Sequence, residues 1–201
     1  KKERYEADDL IGTVCERLKK EDVHIVIISA DKDLMQLVSD RVCIYDTMKD
    51  REIRAEEVKE KFGVSPDRVI DALALMGDSS DNIPGVRGIG PKTAADLIQQ
   101  FGSLEGVLKN SSELKGRLRE SLEKEKEKAR LSRQLATLDC HVPIDFTLAD
   151  FKIRPWNKDK LSELFTKLEF KRLLEQLEIP PKEIEEKKNA SSPIQRNYET
   201  I

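Results

Sequence analysis

Apolar residues along the chain follow two kinds of pattern, and the change from one to the other divides it. Leu10, Ile11, Val14 and Leu18 recur at helical spacing and predict a helix from Ala7 to Lys20. Val23-His-Ile-Val-Ile-Ile28 is a short β-branched run, the pattern of a strand buried on both faces. Leu34 to Val38 predicts a second helix and Val42-Cys-Ile-Tyr45 a second strand. Strand, helix, strand in that order implies a right-handed parallel unit. From Ser65 onward only helical signals remain. Ser65 is a cap with Pro66 in the first turn, and the helix continues through Ile70 to Met76. Ser103 caps another short helix, and Glu113 to Leu138 reads as one or two charged helices. Lys158 to Leu177 is amphipathic, with Leu161, Leu164, Phe165, Leu168, Leu173 and Leu174 on one side, until Pro180-Pro181 stops it. Lys182 to Ile201, rich in Glu, Lys, Ser and Asn, reads as a linker, and Tyr198-Glu-Thr-Ile201 is able to begin a strand of a further domain. The expected fold class is therefore α/β, a partial parallel sheet over 1–64 and an all-helical part over 65–179, with a linker over 180–201.

Composition narrows the class. The 201 residues are 38% apolar and 37% charged, which fits a soluble globular chain with long solvated helices. No apolar run approaches the ~20 residues needed to span a bilayer, and Lys1-Lys-Glu-Arg-Tyr5 lacks the apolar stretch of a signal peptide. Cys15, Cys43 and Cys140 are widely spaced and read as reduced, buried thiols of a cytoplasmic protein. The net charge of −3 argues only weakly against a polyanion partner, because bound cations cancel a clustered acidic site and local basic surface is what meets phosphate.

The clustered acids change the picture most. Glu6, Asp8 and Asp9 form one group, Asp31 and Asp33 a second, and Asp78 and Asp81 a third. Asp31 and Asp33 lie just past the first strand, and ligands of open α/β sheets bind at the carboxyl ends of strands. Glu6 and Asp9 stand one helical turn apart, and Asp78 and Asp81 share that spacing in the turn after Met76. Like charges brought together repel and raise one another's pKa. Hard divalent cations remove that cost, and Mg²⁺ in particular takes one or two carboxylates plus water and substrate phosphate. Two such ions ~3.5–4 Å apart serve phosphodiester cleavage. Taken singly, each group also has an ordinary explanation, as helix-start acids or turn-forming Asp.

Directly after the third group comes Ile83-Pro-Gly-Val-Arg-Gly-Ile-Gly-Pro-Lys-Thr-Ala-Ala95. Gly85, Gly88 and Gly90 permit positive φ and close backbone approach, and Pro91 opens a helix. Amides at Gly88 and Gly90, with Arg87, Lys92 and Thr93 around them, form an anion site. No side chain here is placed to read bases, so binding is expected to be independent of sequence. The plain alternative is a tight corner between helices. His24, within a strand, and His141, in a turn, read as structural. Lys115 to Arg133 is interleaved with Glu and reads as a solvated helix face, a secondary phosphate-contact role being the alternative.

Three ordered motifs carry a family resemblance: Tyr5-Glu-Ala-Asp-Asp9, Ser29-Ala-Asp-Lys-Asp-Leu34 and Gly77-Asp-Ser-Ser-Asp-Asn-Ile-Pro-Gly-Val-Arg-Gly-Ile-Gly90. From about Arg4 to Ile179 the chain resembles the 5′-nuclease (5′→3′ exonuclease) domain of bacterial DNA polymerase I, within the flap endonuclease family. The resemblance implies a PIN/resolvase-like core followed by a helix-three-turn-helix subdomain. It implies a Mg²⁺ or Mn²⁺ site on Glu6, Asp8, Asp9, Asp31, Asp33, Asp78 and Asp81, with Asp31, Asp33, Asp78 and Asp81 at the catalytic centre. It also implies duplex DNA with a 5′ flap or nick as partner, gripped at Gly85, Arg87, Gly88, Gly90, Lys92 and Thr93, with a monovalent cation held by carbonyls of the hairpin. Exonuclease-like and polymerase domains would follow. The family's earlier strand, its two early Asp residues and its basic helical arch have no counterpart in this sequence. The expectation is an incomplete sheet with open edges and weak or absent cleavage by this chain alone. Two rival readings are a non-catalytic helix-hairpin module that binds duplex DNA, and a metal-dependent ribonuclease, against which the duplex-gripping hairpin argues.

Overall fold

The computed structural model describes residues 2–178; the linker expected over 180–201 lies outside the described residues. The first helix, α1 (Ala7–Leu18), is followed by strand β1 (Ile25–Ile28), a 3₁₀ turn at Asp33–Leu37 and strand β2 (Val42–Asp46). β1 and β2 pair in parallel, Ile25 opposite Val42 through Ile28 opposite Tyr45. Two elements escaped the sequence pattern. Strand β3 (Arg51–Ile53) pairs antiparallel on the other side of β2, and helix α2 (Ala55–Phe62) follows it. The sheet is thus mixed, in the order β1-β2-β3. β3 has only one buried side chain, Ile53, too short a stretch for a period-two signal to register.

A 3₁₀ turn at Pro66–Arg68 leads into α3 (Val69–Met76), which is followed by α4 (Pro91–Phe101), α5 (Leu104–Lys109) and α6 (Gly116–Ala136). A second compact unit begins after Asp145 and holds α7 (Lys158–Lys167) and α8 (Lys171–Glu178). One continuous core runs from Cys15 on α1 through Ile44 on β2 and Leu73 on α3 to Leu122 and Ala129 on α6. The expected boundary at 64–65 falls inside that shared core, because α3 buries Val69, Ala72, Leu73, Ala74 and Leu75 in it.

Five local expectations need correction. β1 is buried on one face only: Ile27 is inside, but Val26 and Ile28 are 53% and 71% exposed. Successive strand side chains alternate between faces, and the Val26 face is open among the described residues. In α1 the buried side is Gly12, Thr13, Cys15 and Leu18, with Leu10 and Val14 only half-buried at its edge. The segment after α6 explains the rotation, since Thr13 Oγ1 donates to the Asp139 carbonyl at 3.3 Å and accepts the Val142 N–H at 3.0 Å. Ser65 does not cap through its side chain; its hydroxyl donates to Asp67 at 2.5 Å. The amphipathic stretch 158–177 is two helices, broken where Glu169 takes φ +56°. His24 lies just before β1 and is exposed.

The turn after α3 is closed by a tight backbone approach. Gly77 adopts φ +73° and Gly85 φ +61°. A Cβ on Gly85 would meet the Gly77 nitrogen at 2.4 Å, far inside contact distance. Between them, Asp78 and Ile83 exchange both backbone hydrogen bonds, at 2.8 and 2.7 Å. Gly88 also has positive φ (+85°), but a Cβ there meets nothing within 4 Å. Urea denaturation is therefore expected to show Gly88→Ala costing only the left-handed backbone term, about 1–2 kcal/mol. Gly85→Ala is expected to cost clearly more than that, because the clash is with backbone and cannot be relieved by a rotamer.

Candidate functional site

The carboxyl ends of the strands and the turn after α3 bring two of the acidic groups into one crevice. Asp33, Asp78 and Asp81 each present a carboxylate oxygen within 4.8 Å of the others. Asp33 opens the 3₁₀ turn that follows β1, so the loop length after the strand sets its position. Its backbone N–H donates to Asp31 Oδ1 at 3.0 Å, and the Asp31 N–H donates to Ser29 Oγ at 3.0 Å. Asp78 is fixed by Ser80, whose N–H and Oγ donate to its Oδ1 at 3.0 and 2.6 Å. Asn82, at φ +56°, helps close the short loop that carries Asp78 and Asp81; asparagine is one of the few residues that tolerates this region.

Lys32 sits between these carboxylates. Its Nζ lies 2.6 Å from Asp78 Oδ2 and 3.4 Å from Asp81 Oδ2, and it also bonds the Ser80 hydroxyl. The Asp78 partner raises the Lys32 pKa. Burial pulls the Asp78 carboxyl upward, but the hydrogen bonds from Lys32 and Ser80 outweigh it and hold it below the ordinary range. Asp33 has no such relief. Burial, then the charges of Asp81 and Asp31, push it up to about 6. Its Oδ1 is inaccessible to solvent and has no hydrogen-bond partner, the one such side-chain oxygen among the described residues. Three carboxylates and one ammonium leave a formal −2. An orphaned oxygen in a −2 all-oxygen cluster fits a hard divalent cation.

The first acidic group stands apart from this trio but is electrostatically linked to it. Asp8 is raised by burial, then by Asp31, Glu6 and Asp9. Asp31 thus acts on both Asp8 and Asp33. Asp9 has structural partners: Oδ2 accepts the Glu6 N–H at 3.1 Å, closing the start of α1, and Oδ1 accepts the Asp139 N–H at 2.9 Å. The ordinary reading of helix-start acids therefore describes Asp9 well.

The glycine hairpin runs on from the same turn. Val86 and Ile89 are buried and anchor it, and the Val86 N–H donates to the Leu75 carbonyl at 2.8 Å. Arg87, Gly88, Gly90 and Lys92 are exposed. Gly90 is extended (φ −97°) at the start of α4 with Pro91 next, and a Cβ on it would meet nothing within 4 Å. The protein itself therefore does not require glycine at 90. A groove of ≈ 850 Å³ runs beside the hairpin, lined by Arg87, Gly88, Thr93, Arg117, Ser121 and Lys124 with two Glu residues of α6. Arg117, Ser121 and Lys124 share one face of α6 at i, i+4, i+7 spacing. Sequence reading treated this stretch mainly as a solvated face; only its position against the hairpin singles it out. Ser132, which accepts the Gly85 N–H at 3.0 Å from 47 residues away, was equally invisible. Lys32 and Ser80, by contrast, lie inside the quoted motifs.

An acidic crevice at the strand ends thus stands beside an exposed glycine hairpin on a helical layer, the arrangement of a small α/β core followed by a helical part. Residues 1–63 match the 5'-3' exonuclease N-terminal resolvase-like domain, and residues 64–159 the 5'-3' exonuclease C-terminal SAM fold. DNA polymerase I of Caldicellulosiruptor bescii is 42% identical over 87% of this chain and 21% of its own length. A 5'-3' exonuclease of Aquifex aeolicus is 39% identical over 87% of this chain and 59% of its own. A bacteriophage T5 flap endonuclease, solved as a pseudo-enzyme-product complex with DNA and metal ions, superposes with a TM-score of 0.60 at 28% identity, covering 68% of this chain and 50% of that one. The chain belongs to the 5'-3' exonuclease family. It spans about a fifth of the length of the DNA polymerase I it matches.

A carboxyl held at about 6 favours the fold while protonated, and that contribution is lost as pH rises through 6. At neutral pH, Asp33→Asn removes both the desolvated charge and its repulsion. After discounting for solvent screening the gain is on the order of 1 kcal/mol, about 2–4 °C in Tm for a chain of this size. The same change removes one of the three clustered carboxylates. Calorimetry is expected to show Asp33→Asn melting higher than wild type without divalent metal, and gaining less in Tm than wild type when a divalent cation is added.

Proposed function

We propose that this chain is the 5′-nuclease part of a larger DNA polymerase I-type protein and hydrolyses DNA phosphodiesters near a 5′ flap or nick in replication and repair. The observation that carries the reading is the convergence of Asp33, Asp78 and Asp81 around an unpartnered oxygen, one turn away from an exposed backbone cradle. Mg²⁺ or Mn²⁺ would be held by these three with Asp8 and Asp31 beside them, and when bound supplies Lewis-acid stabilisation and a water of lowered pKa. The remaining work belongs to the chain. Ser80 and Lys32 hold Asp78 ionised and aligned. The first amides of α4 and those at Gly88 and Gly90 bind strand phosphates, Lys92 adds a charge, and the bases are left unread. The three free thiols fit a cytoplasmic setting at the chromosome. Polymerase-side domains would continue the chain, as the greater length of its polymerase relatives supports.

A second reading has one observation in its favour. Lys32 already pairs Asp78 and Asp81, so the crevice is partly neutralised without metal, as a non-catalytic duplex-binding module would require. A 5′-labelled flap duplex with Mg²⁺ or Mn²⁺ separates the two. A form carrying the natural N-terminal extension is expected to release labelled 5′ fragments, this chain alone to cut weakly or not at all, and the extended form with Asp78→Asn and Asp81→Asn to release none. Retention of the duplex without any cutting by the extended form in either ion selects the binding module.

The hairpin gives an independent expectation. Gly90→Val leaves the fold intact, because its φ suits any residue and the added side chain meets no protein atom. It is expected to weaken duplex binding at least tenfold by keeping the strand off the backbone. Lys92→Ala is expected to flatten the dependence of log K on log salt by about one unit. Anisotropy titrations across a salt series measure both, and binding unchanged in both variants rules out the hairpin as the duplex grip.

A further inference from the structure

The hairpin turn is held from a distance by an acidic side chain. Helix α6 is not one continuous rod: Glu125 has φ −112° and ψ 18°, outside helical values, and the helix kinks there. The kink delivers the Glu125 carboxylate to the hairpin, where the Arg87 backbone N–H donates to Oε2 at 2.9 Å, across 38 residues of sequence. Lys128, on the next turn of α6, lies 3.5 Å from the same oxygen. With the Val86 N–H already bonded to Leu75, two consecutive amides that lead into Gly88 are tied down, one from α3 and one from α6.

On charge alone this arrangement is perverse. Glu125 lines the same groove as Arg87, Gly88, Thr93 and Lys124, where a phosphodiester strand would lie. A carboxylate beside phosphates repels them. Its oxygen, however, is directed at the protein's own backbone, and its side chain is only 20% exposed. We infer that Glu125 is a positioning residue for duplex binding: it locks the turn so that the Gly88–Lys92 segment presents its amides in the geometry the strand needs, without touching the strand. The inference rests on reading the hairpin as the duplex grip.

Repulsion and positioning predict opposite signs. If Glu125 were only a bystander charge, its removal would tighten binding. If it locks the turn, removal weakens it. In the full chain, Glu125→Ala and Glu125→Gln are compared with wild type on a labelled nicked duplex by anisotropy over a salt series, with hydrogen exchange at the Arg87 amide followed in parallel. Glu125→Ala is expected to weaken binding about five- to tenfold, the scale of one charge-assisted hydrogen bond. The salt slope should be unchanged, since no phosphate contact is lost, and the Arg87 amide should exchange faster. Glu125→Gln keeps an oxygen that can accept the same N–H, and is expected to bind within twofold of wild type with the Arg87 amide still protected. Equal or tighter binding by Glu125→Ala, or a Gln variant as weak as the Ala one, overturns the positioning role. A wild-type chain that binds no duplex overturns the duplex-grip reading and this role with it.

Discussion

The close backbone approach of Gly77 and Gly85 is what the candidate site depends on. α3 ends at Gly77, whose positive φ turns the chain back on itself. Asp78 and Ile83 then exchange two hydrogen bonds, and Gly85 comes so close to Gly77 that no side chain fits. The loop pinched off between them carries Asp78, Ser80 and Asp81, and the segment leaving it is the hairpin. A single backbone constraint therefore sets the distance between the acidic crevice and the exposed amides. It is anchored from two sides, by Leu75 bonding Val86 and by Ser132 of α6 bonding Gly85. A wider turn would carry the acids and the cradle apart even with every residue type retained.

Charge in the crevice is balanced by position as well as by number. Asp78 and Asp81 share Lys32, and Asp78 also has Ser80, so Asp78 stays ionised easily. Asp33 receives no such partner and its carboxyl is pushed up by burial and by Asp81 and Asp31. The crevice thus holds one satisfied carboxylate and one whose buried oxygen, Asp33 Oδ1, lacks a hydrogen-bond partner.

The two halves of the apparatus follow different physical rules. In the proposed reading, metal affinity is short-ranged and would fall on a few oxygen atoms, those of Asp33, Asp78 and Asp81. Strand binding, in the same reading, would be spread over amides and long cationic side chains, so it would depend on backbone geometry and on helices as remote in sequence as α6. Glu125 would belong to the second half through structure alone, since its own charge has the wrong sign for it.

The sequence by itself determined the inventory. The spacing of Asp31 and Asp33 after a β-branched run, of Asp78 and Asp81 after an apolar helix, and of Gly85, Gly88 and Gly90 before Pro91 was legible because each pattern is local, and strand and helix periods are local properties. The parallel pairing of β1 and β2 was legible for the same reason. Tertiary structure decided which acids meet. It set Asp33 with Asp78 and Asp81, gave Asp9 to Glu6 and Asp139, left one face of β1 open, and placed Ser132 and Glu125 against a hairpin dozens of residues away. None of these follows from spacing, because a side chain's partner across a long loop is fixed by how the whole core packs, and packing energy is shared over the chain and not written at any one position.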